Sequence, residues 1–496
     1  MPAHAVIIGA GFGGLAAAIR LRARGFAVTV LEQLDKPGGK AYAFSREGFF
    51  FDAGPTVVTA PHFLEELWEL ADERMSDHVD LRHVHPLYRI RFHDGTTFDY
   101  QSDHESMLAE VTRVAPEDVA GYERYIALSG KIFDMGFGLI DQPFDSIGSM
   151  LRILPALIRL QSYRRVYSVV ARHVRSEKIR QVLSFHTLLV GGNPFTTTSI
   201  YCLISHVEQA WGVRYPRGGI GALVSALSDL LERMGGRIRL NSRAAEILVE
   251  SRTARGVRLE SGEVIPADLV VSNADSTWTY RHLVPAVARR RWTDRKLSRC
   301  KQSMSCFLWY FGTRRQYPDL AQHTILLGPR YRELLDDIFT RKHLADDLSL
   351  YLHRATAGDP DMAPPGCDSF YALAPVPDLD SETDWVAQAE PYRQRIERVL
   401  ADTILPDLQT EVQVSSVTTP QDFQDRMACT RGACFGLQPI LTQSAYFRPH
   451  NRSEDIDRLY LVGAGTHPGA GLPGVLASAK VLDKVVPDPV SFRGEP

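Results

Sequence analysis

The chain has 496 residues, of which 44% are hydrophobic and 23% are charged, and its formal net charge is -3. This length predicts two or three folding units with a large buried core. The composition is typical of a globular protein, and the weak negative charge argues against nucleic acid as a partner. The six cysteines include no Cys-x-x-Cys pair, which predicts reduced thiols in a cytoplasmic protein.

Signals for targeting and for metal binding are weak. We expect no signal peptide, because a glycine motif begins at Gly9 and leaves no room for one before it. No uninterrupted apolar run reaches the ~18 residues of a membrane span, so we expect a chain that does not cross a bilayer. Attachment to a membrane surface stays open. His83 and His85 share one face of a predicted strand without a third ligand, so we predict no metal site.

The first residues carry a dinucleotide-binding pattern. A predicted apolar strand runs into Gly9-x-Gly11-x-x-Gly14, and a predicted helix follows as far as Arg24. In this pattern Gly9 permits a tight turn, Gly11 lets the backbone approach a pyrophosphate, and Gly14 lets the helix pack closely on the strand. The N-terminus of the helix then faces the phosphate charge.

Glu32 strengthens this interpretation, because it ends a second predicted strand, Val28–Leu31, ~20 residues beyond the glycines. A carboxylate there accepts hydrogen bonds from a ribose diol and repels a 2′-phosphate, so NADP is disfavoured. The pattern alone does not separate NAD from FAD. Gly39 and Lys40 form a second glycine turn with a cation, and Gly54 follows. Such a turn suits a cofactor that continues past its pyrophosphate, with Lys40 either on the phosphates or in solvent.

A second strand-and-glycine unit lies near the C-terminus. A predicted strand from Leu459 runs into Gly463 and Gly465, and a Pro- and Gly-rich stretch ends at Gly474, where a predicted helix begins. Free N–H groups at the start of that helix can stabilise negative charge, for example on a reduced flavin. We interpret the two ends of the chain as halves of one long cofactor site. The alternative is an ordinary closing strand–helix unit.

The same reasoning divides the chain. The stretches 1–56, 216–275 and 421–490 are predicted to form one discontinuous cofactor-binding domain, because strands and glycine turns recur in them. The stretch 57–215 is predicted to be a mainly helical insertion. The stretch 276–420 mixes apolar strands with helices and is predicted to be a separate α+β insertion.

A basic and apolar stretch extends from Ile147 to Arg180, with eight cations and one acid. Its apolar residues recur at helical spacing, as in a helix that lies on a membrane surface. A core-packing helix with a solvated basic face has the same spacing, and the residues alone favour that second interpretation.

With these motifs in place, the sequence resembles the FAD-dependent phytoene desaturases of bacteria and fungi almost from end to end. The blocks that carry the resemblance are Gly9–Gly14, Asp35–Lys40, Phe51–Thr56, Ser184–Phe195, Tyr215–Gly219, Gly328–Leu334, Ser444–Asn451 and Leu461–Gly474. The resemblance implies an α/β fold of the amine-oxidase-like flavoprotein type. It has a Rossmann-like FAD-binding domain, an inserted α+β substrate domain and a helical membrane-facing region. It also implies noncovalent FAD, peripheral attachment to the cytoplasmic face of a membrane, and a C40 polyene substrate.

The reaction that the resemblance implies is stepwise desaturation of 15-cis-phytoene to lycopene, with quinone or oxygen as the electron acceptor. One hydrogen leaves as a hydride to the flavin and its neighbour as a proton, so protein groups must stabilise charge or accept that proton. Arg152, His186 and His467 are the candidates, and none stands out. Relatives carry an acid beside Arg152 where this chain has Ser149, and Asp145 is the nearest alternative.

Other functions stay open. One is a different carotenoid flavoenzyme: a neurosporene- or didehydrolycopene-forming desaturase, an isomerase or a ketolase. Another is a non-enzymatic prenyl-lipid-binding protein on the same fold, but such a protein would not need the intact pyrophosphate loop that this chain keeps. An amine oxidase would need an ionic or aromatic cage for the amine, which the sequence does not reveal.

Overall fold

A parallel sheet forms the centre of the cofactor-binding half. Within residues 2–492, which the computed structural model describes, its strands follow the order Leu459–Leu461, Leu269–Ser272, His4–Ile8, Ala27–Leu31 and Arg237–Arg239. Neighbouring strands pair in parallel, so the turns that follow them meet at one edge of the sheet. That edge collects both predicted glycine turns and Glu32.

Alternate side chains of the central strand pack on different layers. Ala5 and Ile7 face a helical layer, whereas Val6 and Ile8 face a small antiparallel sheet. The helices of the first layer are Phe12–Ala23, Gly219–Arg233 and Leu472–Lys480. The strands of the small sheet are Ala244–Glu250, Thr253–Leu259 and Val264–Pro266. Both faces of the parallel sheet are therefore covered, which explains why its strands are almost continuously apolar.

A second, larger sheet stands beside the first. In the described part of the chain its strands follow the order Val412–Thr418, Ser305–Thr313, Asp368–Val376, Leu350–Arg354, His323–Leu327, Tyr88–Phe92 and Thr97–Tyr100. The helix Trp385–Thr403 covers one face, where Trp385 and Tyr392 pack on Phe307. The other face, with Cys306 and Tyr310, points towards the cofactor-binding half.

This second sheet joins the two segments that the sequence analysis separates. Tyr88–Phe92 lies in the stretch predicted to be a helical insertion, yet it pairs in parallel with His323–Leu327 of the other insertion. Its alternating burial suits a strand at that position. The two insertions thus share a hydrogen-bonded layer, and the predicted domain boundaries themselves stay a prediction.

Helices fill the space between the sheets and the surface. They are His62–Glu69, His104–Val114, Val119–Phe137, Ile147–Arg159, Val166–Val170, Glu177–Val182 and Leu203–Trp211. The helix Ile147–Arg159 differs from its neighbours because it contains no buried residue. No helix within residues 2–492 is long and apolar enough to span a bilayer.

Candidate functional site

One cavity of about 650 Å³ extends from the edge of the parallel sheet to the helix Ile147–Arg159. At the sheet edge it is lined by the front loop (residues 9–14), by Glu32 and by the back loop (residues 463–474). Beyond Thr56 it continues between helices and the second sheet as an apolar branch. That branch is lined by Leu188, Ile200, Leu203, Ile204, Val207, Ile325, Leu327, Leu350 and Leu373.

The front loop has the geometry of a phosphate cradle. Gly9 has a φ of 93°, and its N–H donates to Leu31 O at 2.7 Å, which closes the turn after the first strand. A Cβ on Gly14 would overlap Gly9 O, so only glycine lets the helix Phe12–Ala23 begin so close to that turn. The N-terminus of this helix opens onto the cavity through Gly11, Phe12 and Gly13.

Glu32 lies at the closed end of the cradle and is almost fully buried. Its two carboxylate oxygens accept hydrogen bonds from Ala10 N (2.7 Å) and Leu34 N (2.9 Å). Burial raises the pKa of the Glu32 carboxyl, and these backbone hydrogen bonds oppose that rise. Each carboxylate oxygen keeps a second lone pair, which leaves acceptor capacity for a ribose diol.

The second glycine turn packs directly against the first. Gly38 N donates to Ala10 O at 2.9 Å, and a Cβ on Gly39 would lie 3.5 Å from Gly11 Cα. The backbone at Gly54 packs directly against Lys40, as shown by the overlap that a Cβ on Gly54 would make with Lys40 O. Gly39, Lys40 and Gly54 all line the cavity. At these contacts glycine therefore lets the backbone segments of the cavity wall pack closely on one another.

The back loop meets the front loop, as the interpretation of the two chain ends requires. A Cβ on Gly13 would lie 3.1 Å from Gly463 Cα, so the two loops touch. Gly463 has a φ of 90°, and its N–H donates to Ser478 Oγ at 2.7 Å. Beyond the contact, the helix Leu472–Lys480 begins at the cavity wall through Leu472, Pro473 and Gly474. Its free N–H groups thus face the interior.

The predicted cofactor residues divide into two groups. Those that line the cavity are Gly9, Gly11, Glu32, Gly39, Lys40, Gly54, Gly463 and Gly474. Gly14 and Gly465 lie behind the wall and permit close packing, Gly465 against Ser276, whose Oγ donates to Gly465 O at 3.0 Å. A glycine-walled channel that continues from Glu32 past Lys40 to a helix N-terminus is longer than a phosphate cradle alone. It fits FAD, and the assignment of these residues to the adenosine and flavin ends of the cofactor stays a prediction.

The three predicted catalytic residues are not brought together. Arg152 is exposed on the outer side of its helix, and Asp145 is exposed before it. His186 is buried behind the cavity wall, where its Nε2 lies 2.9 Å from Glu208 Oε2 without the alignment of a hydrogen bond. Of the three candidates, His467 alone lines the cavity. Burial lowers its pKa to about 4, so its imidazole is neutral at physiological pH.

Ser149 does not replace an acid. Its N–H and its hydroxyl both bond to Ser146, at 3.2 and 2.6 Å, and the pair forms the first turn of the helix. Ser146 is the N-cap of this helix, and Ser149 is hydrogen-bonded to it in the first turn. The role of the missing acid is not taken up at that position.

Functional residues that the sequence analysis missed lie at the junction of the cradle and the apolar branch. Thr56 Oγ1 contacts the hydroxyls of Tyr351 (2.9 Å) and Tyr371 (2.8 Å), and Tyr371 donates to Gly54 O at 3.1 Å. Tyr351 also contacts His323 Nδ1 at 2.6 Å. These polar groups come from strands far apart in the chain, so no local pattern signals them. This hydroxyl cluster (Thr56, Tyr351 and Tyr371) fixes the cofactor loop to the second sheet.

Three thiols, Cys306, Cys429 and Cys434, also line the cavity near Lys40. Burial raises the pKa of the Cys429 thiol to about 12. No cysteine in the part of the chain that the structure describes forms a disulfide. Among those residues, no group of three or more His, Cys, Asp or Glu side chains is arranged to hold a metal ion.

The apolar branch reaches the surface beside the helix Ile147–Arg159. Met150, Ile153 and Leu157 of this helix line the cavity. The neighbouring side of the helix is apolar too and faces outwards, because Ile147 and Leu151 are 63% and 61% exposed. Leu441 and Phe447, both about half exposed, line the cavity as well and mark the facing rim of its mouth.

Comparison with known proteins identifies the family and the fold to which this architecture belongs. The family of flavin containing amine oxidoreductases matches residues 12–481. An oxidoreductase from Methanosarcina mazei has a TM-score of 0.65 at 17% identity, over 97% of this chain and 100% of its own. A cyclohexylamine oxidase from Brevibacterium oxydans has a TM-score of 0.61 at 16% identity, over 98% and 99%. The predicted amine-oxidase-like α/β fold is confirmed.

Relatives of known activity are much closer in sequence. A lycopene-forming phytoene desaturase from Pseudescherichia vulneris is 50% identical over 96% of this chain and 97% of its own length. A neurosporene-forming phytoene desaturase from Cereibacter sphaeroides is 45% identical over 99% and 96%. The chain belongs to the flavin containing amine oxidoreductase family and, within it, to the phytoene desaturases.

Proposed function

We propose that this protein catalyses the FAD-dependent, stepwise desaturation of 15-cis-phytoene to lycopene in carotenoid biosynthesis. The observation that carries the proposal is the single cavity that joins a glycine-walled dinucleotide cradle to an apolar branch. Lycopene-forming relatives at 44–50% identity over nearly the whole chain support the same activity.

The apolar branch suits a hydrocarbon. Phytoene offers no hydrogen-bonding group, so its affinity must come from burial of apolar surface, at about 0.8 kcal/mol for each CH₂ group. The branch supplies leucine, isoleucine and valine side chains along its length. Its open mouth beside Ile153 lets a substrate longer than the cavity extend outwards while successive bonds reach the cofactor.

When bound, FAD supplies the two-electron acceptor for the hydride that leaves the hydrocarbon. The protein positions the cofactor loop and the polyene, and it excludes water from the site where they meet. The hydroxyl cluster holds Gly54 at the end of the cradle, which fixes the cofactor loop against the second sheet. The apolar branch then presents the polyene at that junction with its neighbouring C–H bonds in a dry environment. The electron acceptor that reoxidises the flavin is quinone or oxygen.

Attachment to the cytoplasmic face of a membrane follows from the substrate, which resides in the bilayer. The exposed apolar side of the helix Ile147–Arg159 includes Ile147, Leu151, Leu154 and Ile158, and exposed arginines flank it. An amphipathic helix of this kind inserts its apolar side among lipid chains while its cations meet anionic headgroups. Because its inner side lines the cavity, the docked helix would admit phytoene directly from the membrane. The unpaired cysteines suit the reducing cytoplasm.

The first experiment tests the cofactor and the reaction together. The purified protein is expected to show a flavin spectrum. Phytoene liposomes added without oxygen should bleach it while a product with one more double bond forms, and a coloured polyene should follow once an acceptor is added. A colourless protein that stays inactive after FAD is added would refute the proposal. A protein that binds carotenoid without bleaching would instead be the lipid-binding alternative.

Product analysis separates the closest alternatives, because neurosporene-forming relatives match almost as well. Lycopene as the end product with excess acceptor is the expected result. Accumulation of neurosporene under those conditions would assign the shorter reaction, and a change of geometry without new double bonds would assign an isomerase.

A further inference from the structure

Arg448 is a buried cation without a counter-charge. It is 1% exposed, and no carboxylate in the described part of the chain forms an ion pair with it. Its Nη2 donates to Leu437 O (3.0 Å) and Ala464 O (3.1 Å), whereas Nε and Nη1 are buried without a partner. A guanidinium does not give up its proton to escape such a site, and burying it unpaired is costly. A buried charge of this kind calls for an anion.

The position of Arg448 indicates where that anion lies. Ala464 stands between Gly463 and Gly465 and lines the cavity, so the guanidinium is one peptide group behind the cavity wall. A Cβ on Gly469 would lie 2.9 Å from Arg448 Nη1 and 3.3 Å from Tyr201 Oη. Tyr201 itself lines the apolar branch. Arg448 therefore lies behind the back loop, towards the substrate side, and not behind the front loop.

The groups around Arg448 leave its charge uncompensated. The Tyr201 hydroxyl lies beside the guanidinium, but burial raises its pKa and keeps it neutral. Asp275 is the acid that acts on Arg448 electrostatically. However, Asp275 Oδ1 accepts from Trp278 N (2.8 Å) and Thr430 Oγ1 (2.7 Å), and Lys40 lies in the field of the same carboxylate. His467, on the same loop, is neutral. The helix Leu472–Lys480 adds the positive end of its dipole at the same wall.

We infer that Arg448 is a positioning residue for the flavin: it holds the back-loop carbonyls, and its charge stabilises the anionic reduced flavin and so raises the reduction potential. The inference rests on the proposed function for the identity of the cofactor. Removal of a hydride from an allylic C–H bond of a hydrocarbon needs an oxidising flavin, and a fixed positive charge in a dry wall favours the reduced, anionic form. No contact with the substrate is required of Arg448.

Three substitutions separate charge from structure. Arg448→Lys keeps the charge, Arg448→Gln keeps a donor for the carbonyls but loses the charge, and Arg448→Met loses both. The readouts are FAD content, the midpoint potential of the bound flavin, and its affinity for sulfite, which forms an anionic adduct with flavins. None of them needs turnover. A matched control is Arg20→Gln, because Arg20 is equally buried but is paired with Glu66 and Asp483.

The Gln and Met variants should have a lower flavin midpoint potential than the wild type, and their affinity for sulfite should be about tenfold weaker. The Lys variant and the Arg20 control should stay close to the wild type in both measurements. Equal changes in all three variants would show a merely structural role and overturn the inference. Loss of FAD with an unchanged potential in the remaining holoprotein would place the anion at the pyrophosphate and overturn it too. If the uncharged variants do not fold, the wild-type protein alone decides: a bound flavin that forms no sulfite adduct would overturn the inference. A wild type without flavin would refute the proposed function instead.

Discussion

Replacing His323 by asparagine removes a titratable group from the middle of the second sheet. His323 is 0% exposed and lies between Tyr351 and His353, at 2.6 and 3.3 Å from its Nδ1. The ring of Tyr88 packs on it as well. Burial lowers the pKa of His323 from 6.5 to about 3. The folded protein therefore keeps this imidazole neutral down to pH 5, whereas the unfolded chain takes up a proton near pH 6.5.

The sign of the effect follows from proton uptake. Below pH 6.5 the unfolded state binds more protons than the folded state at this residue, so the contribution of a neutral His323 to stability is complete above that pH and is lost as the pH falls towards 3. At about 1.4 kcal/mol for each pH unit, the wild type loses about 2 kcal/mol through His323 between pH 7 and pH 5. Asparagine cannot titrate, and its amide oxygen can still accept from Tyr351.

Urea unfolding of both proteins with saturating FAD at pH 7, 6 and 5 measures this difference. The stability gap between the wild type and His323→Asn should shrink by about 2 kcal/mol from pH 7 to pH 5. His93→Asn is the control, because His93 is exposed, and its gap should stay constant. A His323→Asn gap that does not change with pH would refute the buried, neutral histidine. His353 and His467 are shifted in the same direction, so the wild type as a whole should weaken steeply in mild acid.

Three further variants and one control test the cofactor cradle and the docking helix. Gly11→Val should abolish retention of FAD, because even a Cβ there would lie 3.0 Å from Asn273 Nδ2 and the branches would fill the cradle. Gly148→Val, whose Cβ meets only Ser146 Oγ at 3.8 Å, should keep normal FAD by absorbance, and normal FAD in the Gly11 variant would refute the placement. Glu32→Gln should weaken FAD binding at least about tenfold by titration, since an amide donor would face Ala10 N or Leu34 N. Leu151→Ser with Ile158→Ser should release the protein from liposomes in a flotation assay while the flavin spectrum is kept, and unchanged flotation would contradict membrane docking by this helix.

The cofactor half of the fold could be predicted because its signals are local. The front loop, Glu32 and the back loop each carry their chemistry within a few residues, since a glycine turn between a strand and a helix has few structural solutions. The sequence also predicts that both loops lie at one edge of a sheet, because parallel strands have their carboxyl ends at the same edge. Contact between Gly13 and Gly463 confirms that the two ends of the chain meet.

The substrate half could not be predicted in the same detail because its contacts are long-range. Thr56 and Tyr371 are 315 residues apart in the chain and meet only because the second sheet places them opposite each other. His186 is a candidate by residue type, but it lies behind the cavity wall, where Glu208 and aromatic rings set its environment. Arg448 lies within Ser444–Asn451, one of the blocks that carry the resemblance. The sequence does not reveal that its charge is unpaired, because the residues around it come from distant parts of the chain.

The central claim is that electrons removed from a hydrocarbon in the apolar branch pass to a flavin held by the two glycine loops. A single-turnover experiment without oxygen or quinone tests it most directly, with flavin bleaching and polyene absorbance recorded on the same sample. The account predicts one flavin reduced for each new double bond, and no further change in polyene absorbance until an acceptor is added. Polyene formation with the flavin still oxidised, or bleaching without a new double bond, would contradict it.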